Sequence, residues 1–194
     1  MITDARAWVA RALAGQGTIS PWHRAGALVA AGYLSLLYHR DRDAGERYME
    51  QALELSAAIG HRVAEMRAFG GLGIAAYDRG DYPRATEMYT RGQELARIVG
   101  TPGDVAIAAN NLGLVAYVEG NVEETLVYWE ESVRLTNQDG DRMMEAQVQA
   151  NLGGVKNALG RIDEARQHLE RALELQRSIN NRSHLPNTLI NSGE

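Results

Sequence analysis

A spacing of about 40 residues runs through this chain without slippage, and it limits the possible folds more than any other feature. Gly71-Leu72-Gly73 recurs as Asn111-Leu112-Gly113, as Asn151-Leu152-Gly153 and once more as Asn191-Ser192-Gly193. Gly80, Gly120 and Gly160 keep the interval, as do Gly60, Gly100 and Gly140, with Asn180 continuing that series. Leu55, Leu95, Leu135 and Leu175 form a third ladder, and Ala52, Gly92, Ser132 and Ala172 a fourth. Even the opening is in register, since Ala5, Arg6, Arg11, Ala12 and Leu13 match Ala165, Arg166, Arg171, Ala172 and Leu173. A fixed period of this length marks a repeat architecture, in which each unit buries its apolar face only by stacking on its neighbours.

Each unit reads as two helices. The first contains the X-Leu-Gly core and stops at Gly80, Gly120 or Gly160, where a left-handed cap carries no Cβ strain. Asp81 or Asn121 then opens the second helix as an N-cap. In the fourth unit the second helix places Ile162, Ala165, Leu169, Ala172, Leu173 and Leu175 on an apolar stripe at helical spacing. The reading is all-α: an α-α superhelix, a solenoid of stacked antiparallel pairs, as one domain over 1–194. Its parts are an unpaired second helix at 3–15, repeats at 21–60, 61–100, 101–140 and 141–180, and the start of a further repeat at 181–194. The small residues of the ladders let helices approach closely.

Asn-Leu-Gly, then glycine, then Ala85, Thr125 or Ala165, then Tyr89 or Trp129, resembles the tetratricopeptide repeat, and the resemblance covers essentially the whole chain. Two departures stand out. The tryptophan near the start of the first helix is absent from units two to four, and so is the proline that closes the second helix. The units are therefore about 40 residues long rather than about 34, a longer subclass similar to kinesin light chains and bacterial signalling regulators. The first unit matches least, with Ala31-Gly32-Tyr33 in place of X-Leu-Gly and Arg40 in place of glycine. A second resemblance lies in Ala7-Trp8-Val9-Ala10-Arg11-Ala12-Leu13 followed by Arg24-Ala25-Gly26-Ala27 and Ala30-Ala31-Gly32-Tyr33. That stretch is similar to the start of the repeat arm in large bacterial ATPase and transcriptional regulators, which implies an upstream nucleotide-binding switch module, often a DNA-binding domain, and, as the alternative function, a ligand-sensing arm. With Trp8, Val9 and Leu13 at one end and Leu185, Leu189 and Ile190 at the other, the chain is expected to be a piece of a longer array. Its alternative is a small protein that self-associates through these apolar end helices, as a homo-oligomer.

Composition narrows the function. There are 25 acidic against 20 basic side chains, so the basic field needed by a nucleic-acid or anionic-membrane binder is absent. No cysteine is present to supply a disulfide, a thiolate metal site or a nucleophile. The uncharged runs Ala25 to Tyr38 and Val105 to Val118 are too short to span a bilayer as helices, and the N-terminus lacks a secretion-signal layout. A cytoplasmic protein is expected. A phosphate loop would need a lysine after its glycines, and the only lysine is Lys156. Phe69-Gly70-Gly71-Leu72-Gly73 lies within a helix and is assigned to packing. None of the histidines (His23, His39, His61, His168, His184) sits in a zinc motif. The pairs His61/Glu65 and Glu164/His168 are read as surface pairings. Asp41, Asp43, Gly45 and Glu46 fail as a calcium loop because the twelfth position is Ala52, so they are assigned to turn and cap chemistry. No catalytic residue, metal or cofactor is expected.

What remains is a binding surface. The family resemblance implies that first helices line a concave wall and that the residue two before their glycine faces the groove: Gly71, Asn111, Asn151 and Asn191. An amide both donates and accepts, so Asn111 and Asn151 are expected to grip the backbone of an extended peptide. Stabilisation of neighbouring helices is the competing role for these amides. One turn either way the wall adds Arg67, Ile74 and Asp78, then Ile107, Asn110, Leu114 and Val118, then Gln147. The wall carries no row of cations to clamp a terminal carboxylate, so the expected partner is an internal peptide segment or a protein element. Tyr77 and Tyr117 serve either the groove or inter-helix packing, with packing preferred.

Overall fold

Glycine and the acceptor that follows it punctuate the chain into helices, and every described residue outside the joints is helical. The computed structural model describes residues 19–39 and 41–190, with side chains through Ile179. In order the elements are α1 (Pro21–Tyr33), a π-helical turn (Leu34–His39), α2 (Arg42–Ile59), α3 (Arg62–Arg79) and α4 (Tyr82–Val99). Then follow α5 (Pro102–Val118), α6 (Val122–Asp139), α7 (Arg142–Ala158) and α8 (Ile162–Ile190). The chain divides into two compact units, 1–100 and 101–194. In the first, α1 packs on α2, α2 on α3 and α3 on α4; in the second, α5 packs on α6, α6 on α7 and α7 on α8.

The caps explain the joints. Gly60, Gly80, Gly120, Gly140 and Gly160 all have φ between 71° and 80°, the left-handed region that terminates a helix without steric cost only at glycine. Gly100 departs from the expected pattern, with φ −92° and ψ −176°. Here the chain leads into Thr101-Pro102, and proline holds Thr101 extended at φ −93° and ψ 166°. Thr101 and Asp104 then form a reciprocal capping box. Asp81 accepts from the Arg84 N–H at 3.2 Å as an N-cap, whereas Asn121 precedes α6 without a side-chain cap bond. Asp41 caps α2 through the Ala44 N–H at 3.1 Å, and Arg79 pairs with Asp43 and Glu46. The acidic run at 41–46 is thus cap and ion-pair chemistry, as its sequence indicates.

Close packing rests on a recurring pair. A Cβ on Gly73 would lie 2.4 Å from Tyr89, one on Gly113 2.4 Å from Trp129, and one on Gly153 2.7 Å from Leu169. Tyr89, Trp129 and Leu169 all stand at the same offset from their glycines. In α1 the counterpart is Gly32 against Met49, whose offset is one residue greater. The extra residue is taken up by the π-helical turn at 34–39, where each bond spans one residue more than in an α-helix. This one-residue phase error is why the first repeat matches least. Gly71 also receives Met49, so the glycine cluster at 70–73 does serve packing. Around these pairs lie two apolar cores. One joins Ala25, Leu28 and Val29 of α1 to Ala52 of α2 and to Ala64 and Ala68 of α3. The other joins Trp129 of α6 to Val148, Leu152 and Val155 of α7. Ser132, in the small-residue ladder, is fully buried and donates to the Ala106 carbonyl at 2.9 Å.

One expected boundary is not observed. The second helix of the fourth unit was expected to end near Asn180, but α8 runs unbroken from Ile162 to Ile190. Gly60 and Gly140 turn the chain by adopting positive φ, and the register position at 180 carries no glycine. The expected opening helix at 3–15, with Trp8, Val9 and Leu13, lies outside the described residues, as do Asn191 and Gly193.

Two alanine substitutions separate packing from propensity. Gly113→Ala forces a Cβ into the Trp129 ring and is expected to lower unfolding free energy by about 1–3 kcal/mol. Gly154→Ala meets no atom within 4 Å, and is expected to raise it by about 0.5–1 kcal/mol through helix propensity. Urea denaturation of the two variants beside the parent measures both.

Candidate functional site: the outward face of the first helices

On an α-helix, positions i, i+4, i+7 and i+11 share one face. On α5 these are Ile107, Asn111, Leu114 and Val118, and on α7 they are Gln147, Asn151, Gly154 and Ala158. Both helices pack on α6, and Leu114 of α5 rests on the cluster formed by Trp129, Val148, Leu152 and Val155. Ile107 and Val118 are exposed on this face, as are Gln147, Gly154 and Ala158. Asn111 and Asn151 are half-buried at the matching position of each helix, and among the described residues no hydrogen bond engages either amide. Met143, 70% exposed one turn before Gln147, and Tyr117, 54% exposed, extend the apolar surface. Met143 was not foreseen, though carrying the same helical register one turn towards the N-terminus finds it. Tyr117 was expected to pack between helices and does so on one side, its ring tilted against Trp129 of α6 with centroids 5.8 Å apart, while the residue is 54% exposed.

Two predicted wall residues belong elsewhere. Asn110 was expected to line the groove but is 5% exposed. A residue next to Asn111 is rotated by about 100°, which turns Asn110 towards α6, where its carbonyl accepts from Trp129 Nε1 at 3.1 Å. Its own Oδ1 is buried without a partner. Leu114 is half-buried and spends much of its surface on the core just named.

The first unit has no amide on its equivalent face. Gly71 stands there, buried beneath Met49. Arg67 is exposed, and its backbone carbonyl accepts from the Tyr33 hydroxyl at 3.0 Å. Ile74 is half-buried, while Asp78 pairs with Arg42 of α2 at 3.5 Å. These three residues therefore share a helix face with no Asn between them. Nearby, Trp22 stacks on His61 with ring centroids 3.7 Å apart. His61 does not pair with Glu65 as expected: its Nδ1 caps α3 by accepting from the Ala64 N–H at 3.4 Å. Burial lowers its pKa, which keeps that nitrogen free to accept.

A polar layer that the sequence reading missed lies on the opposite side of α7. Lys156 is 5% exposed and bonds Glu130 of α6 at 3.2 Å and Glu164 of α8 at 3.0 Å. Glu164 does not pair with His168; it also takes Arg161. Hydrogen bonds first from Arg161 and then from Lys156 hold its carboxyl down at about 2. His168 Nδ1 instead lies 2.6 Å from Gln149 Oε1, and burial lowers its pKa. Glu145, 4% exposed, meets Arg171 at 3.0 Å. Among the described residues no group of three side chains could hold a metal ion, and no helix is long and apolar enough to cross a membrane.

Helix pairs with left-handed glycine caps, a small residue receiving an aromatic, and a fixed period can be compared with known proteins. Residues 104–185 match the tetratricopeptide repeat model. No curated protein sequence matches the chain. Among solved structures, aspartyl phosphate phosphatase F from Bacillus subtilis superposes with a TM-score of 0.78 at 13% identity, over 84% of this chain and 43% of that one. A Rap protein complexed with Competence and Sporulation Factor gives 0.77 at 16% identity, over 87% of this chain and 46% of that one. A Podosopora anserina protein of nearly identical TPR-like, kinesin light chain repeats gives 0.65 at 16%, over 92% of this chain and 88% of that one. This chain spans less than half the length of the first two. At these identities the likeness establishes the fold, an all-α TPR-like solenoid of antiparallel pairs.

If Asn111 and Asn151 act on a partner rather than on their own helices, removing their amides leaves the repeats intact. Asn111→Ala with Asn151→Ala is expected to change the unfolding free energy by less than about 0.5 kcal/mol. A calorimetric loss above about 2 kcal/mol, the scale of a broken buried network, assigns the amides to the fold.

Proposed function

We propose that this protein is a non-catalytic binding module whose second unit holds an extended segment of a protein or peptide across the outward face of α5 and α7. The observation that carries the reading is the pair Asn111 and Asn151: half-buried amides in equivalent positions, unengaged, and bordered by the exposed apolar Ile107, Tyr117, Val118 and Met143. Neither amide is among the buried, unpartnered polar atoms, so both reach water and can exchange it for a ligand, and an amide can pair with both the N–H and the C=O of an extended backbone. The apolar border contributes anchoring area, and no cation stands among these residues to select a carboxylate. Ile107 and Gln147 complete the edges, while Arg67, Ile74 and Asp78 of the first unit are not needed for this contact. TPR-like proteins are in general scaffolds, and the fold shared with the Rap protein complexed with Competence and Sporulation Factor supports a role in holding a protein or peptide partner.

Peptides selected by display against the purified chain test this reading. They are expected to bind the Asn111→Ala/Asn151→Ala double variant about thirtyfold more weakly, the loss of roughly two net hydrogen bonds. Selected peptides that bind the double variant as tightly as the parent, or a selection that yields none, would overturn it.

One observation favours a second reading, self-association. Val122, Trp129 and Val133 of α6 pack against α7, whereas their counterparts on α8, Ile162, Leu169 and Leu173, are 58%, 41% and 51% exposed. Light scattering across a concentration series, with Leu173→Glu as control, separates a self-associating chain from a monomeric one.

A further inference from the structure

The α7–α8 pair is zipped differently from the α5–α6 pair in the same unit. In α5 the positions that face the second helix are apolar and buried: Val105, Ala109 and Ala116. One repeat later the equivalents are Glu145, Gln149 and Lys156, which are just as buried at 4%, 7% and 5% exposure. Each meets a polar side chain of α8, in rank order along the helices. Glu145 takes Arg171, Gln149 takes His168 and Lys156 takes Glu164. The helix before them contributes at two levels. Glu130 of α6 pairs with Lys156, and the amide nitrogen of Asn137, when turned to the carboxylate, donates to both Glu145 oxygens at 3.0 and 2.9 Å.

Buried charges lose hydration and recover it only through their partners, so such a seam is strong when complete and weak when any member is neutralised or screened. Apolar contacts of the α5–α6 kind respond to neither acid nor moderate salt. The outer partners Glu130, Glu164 and Arg171 stand 54%, 43% and 47% exposed, within reach of dissolved ions. We propose that the polar seam makes α8 a releasable element, which parts from α7 as a unit under ionic conditions that leave α5 and α6 closed.

Acid works in the same direction. The groups facing His168 are Lys156 of α7, Glu130 of α6, and Glu164 and Arg161 at the start of α8. Burial and then Lys156 lower the His168 pKa below its ordinary 6.5, against the opposing pull of Glu130 and Glu164. A group depressed on folding stabilises the folded state fully above the unfolded pKa and loses that contribution as pH falls through 6.5 towards the folded value. Glu164, held at about 2, adds its own loss only below about 4.5.

Hydrogen exchange of the full chain, expressed as protection factors, tests the proposal. From pH 7.5 in dilute buffer to pH 5.5 with 1 M sodium chloride, amides of 165–178 are expected to lose about tenfold or more in protection, the equivalent of one pKa unit of lost coupling. Amides of 125–138 are expected to change less than about twofold. The variant Glu145→Val/Gln149→Ala/Lys156→Ala, which copies the residues of α5, is expected to remove the sensitivity of α8. If that variant does not fold, Lys156→Met with Glu164→Leu takes its place. Equal loss of protection in α6 and α8, no loss in either, or a sensitivity that persists in the apolar variant overturns the proposal.

Discussion

Everything in this fold depends on a bulky side chain of each second helix entering the gap left by a glycine of the first. Tyr89 over Gly73, Trp129 over Gly113 and Leu169 over Gly153 set how near the two helices of a pair can come. That distance decides which side chains are buried. With Trp129 seated, its indole N–H reaches the Asn110 carbonyl at 3.1 Å, and its ring forms the base on which Val148, Leu152 and Val155 pack. The outward face of the first helix follows as a remainder: whatever is turned away from the glycine, such as Ile107, Asn111 and Gln147, is left to solvent or to a partner.

Much of this was legible in residue spacing. The periodic ladders gave the helix pairs, the glycine caps and the small-residue contacts, because each is a steric requirement that only one or two residue types can meet. The candidate face came from the family resemblance, which picks out the residue two before Gly113 and Gly153; the structure leaves Asn111 and Asn151 half-buried at those positions. What spacing could not give was the local rotation and partner choice. Asn110 differs from Asn111 by one step of the helix, and only the seat of Trp129 determines that it turns inward. Lys156 entered the sequence reading only as the single lysine of the chain, but two carboxylates from different helices close over it. His61 looked like half of a surface pair with Glu65, yet Trp22 lies flat against it. These depend on contacts far apart in sequence and independent of the period.

The two pairs of the second unit share a backbone plan but differ in what joins their helices. Small and apolar contacts such as Ala109 and Ala116 are indifferent to partner identity, and many sequences could replace them. Glu145, Gln149 and Lys156 are each matched to one partner and would mismatch if α8 shifted by a turn. A repeat protein built from similar units faces the problem that any second helix could pair with any first helix. Polar pairs with fixed complementarity distinguish the right neighbour from its copies, and the same property makes the joint sensitive to the solution around it.

The π-helical turn at 34–39 shows how the first unit tolerates a sequence that is one residue too long. If that residue were carried within an α-helix, the later side chains of that helix would rotate by about 100°, out of register with the other repeats. The widened turn instead confines the error to its own short span, with Leu37 and Tyr38 pushed out to solvent as its visible trace. A joint of this kind acts as a buffer between inheritance and geometry. Insertions that fall there change the surface and leave the contacts downstream in phase, so this turn is where new length can enter without dismantling the packing around it.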